Sequence, residues 1–239
     1  MRAIAVIPAR LASTRLPRKM LREIAGKPLV GLVYDAVRSS LLLADVIIAT
    51  DSEEIMAVCR AHGWKAQMTS LDHRSGTERV HEVSGRERAD VYINVQGDEP
   101  LIRSEHIATV LQIMENPAAQ VGTLMTPAAE VDIPNPSAVK IVTDCNGRAL
   151  YFSRATIPYD RDGTQPPYFK HLGLYAYRKG ALDQFVRWPE SSLEKSERLE
   201  QLRFLENGVA IYAGETPYDS VGVDTEEDLA RVMEILGSR

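Results

Sequence analysis

Short apolar runs alternate with segments of helical periodicity over the first half of the chain. Three runs, at residues 4–7, 44–50 and 90–95, have the length and continuous apolar character of buried strands. Between and after them, apolar side chains recur at helical spacing in segments that begin near Pro28 and Ser104. This alternation predicts an α/β fold with a doubly wound, mostly parallel sheet.

The pattern changes near residue 125. Two apolar runs at 138–143 and 148–153 flank the dipeptide Asn146-Gly147, which is the strongest short-range signal for a β-hairpin. A further strand is predicted at 172–177. We therefore expect a β-rich subdomain, residues 126–214, inserted into the α/β domain.

The last part of the chain returns to the helical pattern. Thr225 with Asp228 three residues later resembles a capping pair, and apolar side chains follow it at helical spacing. A strand at 221–223 is predicted just before, which would carry Asp224 to the edge of the sheet. Residues 215–239 are accordingly assigned to the same domain as residues 1–125.

Composition and charge limit the classes of partner that this protein is expected to bind. The chain has 239 residues, a hydrophobic fraction of 44% and a net charge of -5, which suits a globular protein with a small ligand better than a general nucleic-acid binder. Cys59 and Cys145 have no zinc-type spacing and are expected to be reduced thiols. Without a signal-peptide pattern or an apolar run of about 18 to 20 residues, we expect a cytoplasmic protein with no membrane partner.

A cationic loop follows the first strand. Four cations and two hydroxyls occur within ten residues: Arg10, Ser13, Thr14, Arg15, Arg18 and Lys19. Guanidinium forks, a lysine charge and loop amides are suited to a polyphosphate, although a solvated surface loop has the same composition. The segment matches neither G-x-x-x-x-G-K-[ST] nor G-x-G-x-x-G, so an ordinary P-loop or Rossmann site is not supported.

Acidic side chains follow other predicted strands. Ligands of open parallel sheets bind beyond the carboxyl ends of the strands, and Asp51, Asp98 and Asp224 each follow an apolar run there. Magnesium is commonly held by one or two carboxylates together with substrate phosphates and water, so Asp98 and Asp224 are candidate ligands. Each is equally compatible with a helix cap or a turn. Gly97 before Asp98 would allow a close approach of backbone to ligand.

Two further candidates have plain structural alternatives. The segment 75–79 precedes an apparent helix, and its amides would suit a base or an anion, but a simple capped helix start has the same sequence. His171 lies in a predicted strand and, taken alone, is typical of a structural histidine.

Taken together, eight segments in order along nearly the whole chain carry a family resemblance. They are 8–19 (PARLASTRLPRK), 48–51 (IATD), 75–79 (SGTER), 94–100 (NVQGDEP), 149–158 (ALYFSRATIP), 170–173 (KHLG), 199–203 (LEQLR) and 222–225 (GVDT). The chain strongly resembles the 3-deoxy-manno-octulosonate cytidylyltransferases, or CMP-Kdo synthetases. The resemblance implies a nucleotidyltransferase-type fold, a magnesium-dependent cytoplasmic homodimer, and formation of CMP-Kdo and pyrophosphate from CTP and the acid sugar Kdo for lipopolysaccharide.

The resemblance also implies roles for individual residues. The residues expected to bind nucleotide are Pro8, Ala9, Arg10, Ser13, Arg15, Lys19, Asp51, Ser75, Gly76, Gly97 and Asp98. Those expected around the sugar are Arg79, Gln96, Arg154, His171, Tyr175, Glu200 and Gln201. Asp98 and Asp224 would bind Mg²⁺, and with Arg15 and Lys19 they form the expected catalytic set. A sugar carboxylate and its hydroxyls suit such arginine, histidine and amide side chains.

The expected reaction is in-line attack of the sugar's anomeric hydroxyl on the α-phosphate, which requires positioning and charge neutralisation more than covalent catalysis. Arg18 stands where the family often has glycine and Met20 where it often has proline, which bears on closure of the loop. The compact stretch 158–168 resembles the branch that accepts 8-amino-Kdo. A cytidylyltransferase for that sugar or another acid sugar, and a non-catalytic nucleotide sensor, are the alternatives.

Overall fold

The computed structural model describes residues 1–13 and 15–237. Its strands are β1 (Ala3–Ala9), β2 (Glu23–Ile24), β3 (Lys27–Pro28), β4 (Asp45–Thr50), β5 (Ala66–Met68), β6 (Val91–Asn94), β7 (Val121–Pro127), β8 (Lys140–Thr143), β9 (Ala149–Ser153), β10 (Phe169–Tyr177) and β11 (Ile211–Glu215). Its α-helices are α1 (Leu29–Arg38), α2 (Glu53–His62), α3 (Gly76–Arg86), α4 (Ser104–Ile113), α5 (Lys179–Phe185), α6 (Ser192–Glu197), α7 (Leu202–Glu206) and α8 (Glu226–Gly237). A short 3₁₀ helix spans Lys19–Leu21.

Two compact units divide the chain, Met1–Ala108 with Ser220–Arg239, and Thr109–Asp219. The first contains four parallel strands in the order β6-β1-β4-β5. Every residue of β1 is buried, and α1 and α3 both contact this strand. Parallel strands covered in this way form continuous apolar runs, so the predicted α/β fold with a mostly parallel sheet is confirmed. The functional division predicted at residues 125 and 215 stays a prediction.

The register brings three strand ends to one edge of this sheet. Ala9 at the end of β1 lies opposite Thr50 at the end of β4, and Val6 lies opposite Asn94 at the end of β6. Beyond β6, the Val95 amide still donates to the Val6 carbonyl at 3.0 Å. The loops that follow β1, β4 and β6 therefore leave the sheet at the same edge, where ligands of such sheets bind.

The prediction of a strand at 221–223 is wrong. This segment makes one backbone contact with the loop after β6, in which the Val223 amide donates to the Asp98 carbonyl at 2.8 Å, and it forms no ladder. The capping pair is confirmed: Asp228 accepts from the Thr225 amide at 2.9 Å, and the Thr225 hydroxyl accepts from the Asp228 amide at 3.2 Å. This reciprocal cap begins α8 and fixes the backbone next to Asp224.

The second unit is largely β-structure. β7 pairs antiparallel with β10 and parallel with β11, and β8 pairs with both β10 and β9. The predicted hairpin is confirmed as β8 and β9. Its turn is closed by the Asp144 amide, which donates to the Arg148 carbonyl at 2.8 Å, and Gly147 supplies the required positive φ of 75°.

Aromatic side chains fill the core of this second unit. Tyr175 and Tyr177 on β10 are 5% and 1% exposed, and their rings stack at 5.8 Å. Tyr177 in turn stacks on Phe204 of α7 at 5.8 Å, and Phe204 contacts Phe185 at 5.0 Å. The predicted strand at 172–177 is thus a core strand.

Cys59 is buried in α2 and Cys145 is exposed in the hairpin turn. Both are free thiols. Over the ranges described, no helix has the length and apolar character needed to cross a membrane.

Candidate active site

A cleft of about 320 Å³ lies in the first compact unit. Four separate parts of the chain build it: the loop after β1, the start of α3, the loop after β6 and the segment before α8. Its lining residues are Pro8, Arg10, Ala12, Ser13, Arg15, Lys19, Met20, Gly76, Gln96, Gly97, Asp98 and Asp224. A cleft of this size is in the range of small-molecule sites.

Most of the predicted nucleotide residues meet in this cleft. Eight of them line it: Pro8, Arg10, Ser13, Arg15, Lys19, Gly76, Gly97 and Asp98. The other three do not line it. Ala9 is fully buried in β1, and Asp51 forms an ion pair with Arg79. The Ser75 hydroxyl accepts from the Glu78 amide at 3.3 Å as the cap of α3. The structural alternative for segment 75–79, a capped helix start, is therefore present. The ligand roles of all these residues stay predictions.

Sequence reasoning gave no ligand role to Ala12 or Met20, which also line the cleft. Met20 follows Lys19 directly and stands where the family often has proline, so its place in the cationic loop was the available signal. Its sulfur lies 2.9 Å from the point where a Cβ on Gly97 would stand.

Gly97 allows the loop after β6 to lie close to the backbone of β1. A Cβ at this position would lie 2.8 Å from the Pro8 carbonyl oxygen, which is closer than such contacts normally are. The sequence suggested that Gly97 allows a ligand to approach the backbone, and here the approaching group is the backbone near the end of β1. A side chain at 97 would push the two backbones apart.

A lysine bridges the two carboxylates of the cleft. Lys19 Nζ donates to Asp98 Oδ2 at 2.5 Å and to Asp224 Oδ1 at 2.9 Å, and its side chain is only 9% exposed. Arg15 Nη2 reaches Asp224 Oδ2 at 2.9 Å, but this arginine is 67% exposed. Asp98 and Asp224 therefore lie together as predicted, but only Asp98 follows a strand; Asp224 lies in the irregular segment before α8.

The electrostatics of Lys19 follow from this bridge. Burial, the largest single influence, lowers its pKa, but the combined attraction and hydrogen bonding of Asp98 and Asp224 raise the pKa of Lys19 above its ordinary value. The ammonium is therefore charged at neutral pH.

The carboxylate pair also fits a divalent cation. Both carboxylates already hold a single cationic atom between them, and carboxylate oxygens are the ligands that Mg²⁺ prefers. Within residues 1–13 and 15–237, no group of three or more His, Cys, Asp or Glu side chains is placed to hold a metal. Two carboxylates with substrate phosphates and water are the usual set for Mg²⁺, so the residues present fit it as a shared, substrate-completed site.

The loop after β1 is tied down at several points. Arg10 Nη2 donates to the Arg74 carbonyl at 2.8 Å. Arg18, at the family's glycine position, adopts the left-handed conformation with φ 57° and forms an ion pair with Glu54 of α2. The backbone at Arg18 thus keeps a conformation that favours glycine. The ion pair with Glu54, which a glycine could not form, holds this part of the loop against α2. Thr14 lies outside the described residues.

Arg79, which is expected at the sugar, lies in a network of buried hydrogen bonds. Its side chain is completely buried and pairs with Asp51. Nη1 donates to the Thr69 hydroxyl at 2.6 Å and to the Ser70 carbonyl at 3.2 Å. These bonds join α3 to the end of β4 and to the segment after β5, and Arg79 is not among the residues that line the cleft.

Five of the expected sugar residues belong to the second unit: Arg154, His171, Tyr175, Glu200 and Gln201. His171 Nε2 lies 3.0 Å from the Thr123 hydroxyl, with its ring edge-on to Phe152 at 5.0 Å and near Tyr175 at 5.3 Å. Burial lowers the pKa of His171 to about 3. The ring is therefore neutral at physiological pH and suited to hydrogen bonding rather than to pairing with a carboxylate by charge.

Arg154 and Gln201 differ in how far their polar groups are used. Arg154 Nε donates to the Glu197 carbonyl at 2.7 Å, and Nη1 donates to the Pro136 carbonyl at 3.0 Å. Gln201 is 4% exposed, and among the described residues its Nε2 has no hydrogen-bond partner. A buried amide donor of this kind is available to a ligand.

The sequence matches a known family and known proteins over most of its length. A family model described as "Cytidylyltransferase" matches residues 4–211. The 3-deoxy-manno-octulosonate cytidylyltransferase of Koribacter versatilis (strain Ellin345) is 66% identical over 239 residues, which is 100% of this chain and 91% of that protein. The protein of the same name from Acidobacterium capsulatum is 55% identical over 237 residues, covering 99% of this chain and 97% of the other.

A solved structure is similar over the same length. It is a CMP:2-keto-3-deoxy-manno-octonic acid synthetase complexed with CTP, with a TM-score of 0.96 and 42% sequence identity. The match covers 100% of this chain and 99% of that one, so the fold is that of a nucleotidyltransferase.

Proposed function

The chain belongs to the 3-deoxy-manno-octulosonate cytidylyltransferase family, and from that premise we propose that it converts CTP and Kdo to CMP-Kdo and pyrophosphate. The single observation that carries this proposal is the cleft in which Lys19, Asp98 and Asp224 meet beside Arg10 and Arg15. Such a concentration of cations around a carboxylate pair is what transfer of a nucleotidyl group requires.

The nucleotide is assigned to this cleft. Arg10, Ser13, Arg15 and Lys19 offer guanidinium, hydroxyl and ammonium donors to the triphosphate. Gly76 leaves room at the start of α3, because a Cβ there would lie 3.3 Å from Pro8 Cγ, and we assign the base and ribose to this side.

We propose that Asp98 and Asp224 hold Mg²⁺ when the nucleotide is bound. The ion would supply neutralisation of charge on the reacting phosphates. The chain's own residues orient the triphosphate. Gly97 keeps the loop that carries Asp98 against the end of β1, from which the cationic loop begins, so that the phosphate ligands and the acidic pair stay in one arrangement.

The reaction itself is a substitution at phosphorus. The anomeric hydroxyl oxygen of the sugar forms a bond to the α-phosphorus, and the bond from that phosphorus to the oxygen bridging the β-phosphate breaks. The hydroxyl proton passes to solvent and pyrophosphate leaves. Arg10, Arg15 and Lys19 stabilise the charge of the departing pyrophosphate.

We assign recognition of the acid sugar to Arg154, His171, Tyr175, Glu200 and Gln201 of the second unit. The unpartnered Gln201 amide supports this assignment, because a buried donor without a partner is costly unless a ligand completes it. Gln96 and Arg79 were predicted in the same role. Gln96 lines the cleft. Arg79 pairs with Asp51, which favours a structural role, and its Nε is buried without a hydrogen-bond partner among the described residues, as Gln201 Nε2 is.

A homodimer in the cytoplasm that supplies activated Kdo to lipopolysaccharide completes the proposal. The family resemblance supports it. Size-exclusion chromatography with light scattering tests the dimer: a monomer at micromolar concentration would contradict it.

The function is tested by pyrophosphate release from CTP and Mg²⁺ with Kdo, 8-amino-Kdo or sialic acid, using ATP, GTP and UTP as nucleotide controls. We expect turnover with CTP and Kdo. Faster turnover with 8-amino-Kdo would reassign the sugar, and CTP binding without turnover of any acid sugar would favour the nucleotide sensor. An Asp98→Asn preparation excludes contaminating activity.

A further inference from the structure

Lys19 occupies the space between the two acidic side chains of the cleft. Its Nζ lies 2.5 Å from Asp98 Oδ2 and 2.9 Å from Asp224 Oδ1. A magnesium ion bound by both carboxylates would sit about 2.0 to 2.1 Å from their oxygens. The ammonium and the ion therefore require nearly the same position.

The two cations exclude each other for a second reason. Ammonium and Mg²⁺ are both positive, and at contact distance in a partly buried site their repulsion is large. The carboxylates are 25% and 42% exposed and Lys19 is 9% exposed, so solvent screens this interaction only partly.

The other cation at the pair does not close the site in the same way. Arg15 contacts Asp224 Oδ2, whereas Lys19 contacts Oδ1, and Arg15 is 67% exposed. Asp98 and Asp224 are therefore joined through Lys19, whose four-carbon side chain allows the ammonium to move while the backbone stays in place.

We propose that Lys19 keeps the metal site closed until the triphosphate draws its ammonium away from the carboxylates. The proposal rests on the function proposed above and adds an order to it: metal and nucleotide bind together, and the free protein binds the metal weakly. Lys19 then performs two tasks, since it neutralises the acidic pair in the free protein and contacts phosphate in the complex. The closed site also disfavours a metal ion bound without substrate.

The test measures metal binding in the absence of any nucleotide. Mn²⁺ replaces Mg²⁺ as the probe, and free Mn²⁺ is counted by electron paramagnetic resonance during titration. Lys19→Met removes the charge and retains the length of the side chain. We expect this variant to bind Mn²⁺ at least about tenfold more tightly than the wild type, because one competing cation has been removed from a partly screened site.

Two controls locate the effect. Lys27→Met changes net charge equally but frees only one carboxylate, since Lys27 pairs with Asp35, and we expect its Mn²⁺ affinity to equal that of the wild type. Adding Asp98→Asn to Lys19→Met should remove the gain. Lys19→Gln serves in the same titration if the methionine variant does not fold.

Equal Mn²⁺ affinity of wild type and Lys19→Met overturns the proposal, and so does an equal gain in Lys27→Met. The titration contains neither CTP nor sugar, so its outcome is independent of whether the protein turns over Kdo. A protein that fails the pyrophosphate assay but shows the gain in Lys19→Met would lose its proposed substrate and keep the closed site.

Discussion

Replacing Arg79 by methionine should destabilise the protein strongly. The guanidinium is completely buried, with Asp51, the Thr69 hydroxyl and the Ser70 carbonyl as partners. Asp51 is only 12% exposed, so the substitution leaves a carboxylate in the interior without its cation. Breaking a buried pair from one side costs about 3 to 5 kcal/mol, which corresponds to a fall of about 6 to 20 °C in Tm for a chain of this size.

The assay is thermal unfolding followed by far-UV circular dichroism, with Arg86→Met as the matched control. Arg86 lies on the same helix and pairs with Glu82, but it is 50% exposed, so its loss should cost less than about 1 kcal/mol. Adding Asp51→Asn to Arg79→Met should recover part of the lost stability, because it removes the isolated charge. Equal midpoints for Arg79→Met and Arg86→Met would refute this reasoning and restore Arg79 as a candidate for sugar contact.

Three other outcomes are expected. Gly97→Ala should lower the free energy of unfolding by about 1 to 3 kcal/mol, because its Cβ would clash with the Pro8 carbonyl. Gly85→Ala is the control: nothing lies within 4 Å of its Cβ in α3, so it should raise the free energy of unfolding by about 0.5 to 1 kcal/mol. Urea unfolding that ranks the two variants in the opposite order would contradict the packing argument. In the folded protein the pKa of His171 is about 3, below its ordinary value of 6.5. The unfolded chain therefore takes up the proton first, and stability falls as the pH drops from about 6.5 towards 3, by up to about 1.4 kcal/mol per pH unit. His171→Asn should flatten that dependence, and an unchanged slope in denaturation curves would remove the histidine as its source. Asp98→Asn should keep the wild-type circular dichroism spectrum and lose most CTP turnover, so equal rates at saturating Mg²⁺ would remove Asp98 as a metal ligand.

The parallel sheet was predictable because its strands are buried. β1 reads as an unbroken apolar run because every one of its residues is covered. The Asn146-Gly147 turn was equally predictable, since few residues other than glycine accept the positive φ found at Gly147. Local chemistry determines both features.

The segment 221–223 shows where such reasoning fails. Its apolar residues matched a strand, but burial here comes from packing against helices and loops, and Val223 is in the same core cluster as Leu16 and Leu229. A strand requires a neighbouring backbone ladder, and the single bond to Asp98 does not provide one. The pattern of apolar residues indicates that a segment is buried, but it does not indicate whether another strand pairs with that segment.

The candidate site divides in the same way. The rule that ligands bind beyond strand ends predicted the place of Asp98, which follows β6. Asp224 meets it through the shared bridge to Lys19, although no strand precedes Asp224. The pairing of Arg79 with Asp51, 28 residues apart, left no pattern in the sequence, because a buried arginine and a ligand-binding arginine have the same side chain. Such tertiary pairings depend on the packing of α3 against the sheet.

The partners that Lys19 bridges become available at different times during synthesis of the chain. Lys19 and Asp98 are 79 positions apart, but Lys19 and Asp224 are separated by 205. Synthesis proceeds from the amino terminus, and contacts of long sequence separation form late. A growing chain therefore presents the cationic loop and one carboxylate well before the other, and a nascent polypeptide stopped short of residue 224 carries the cationic loop without the complete acidic pair.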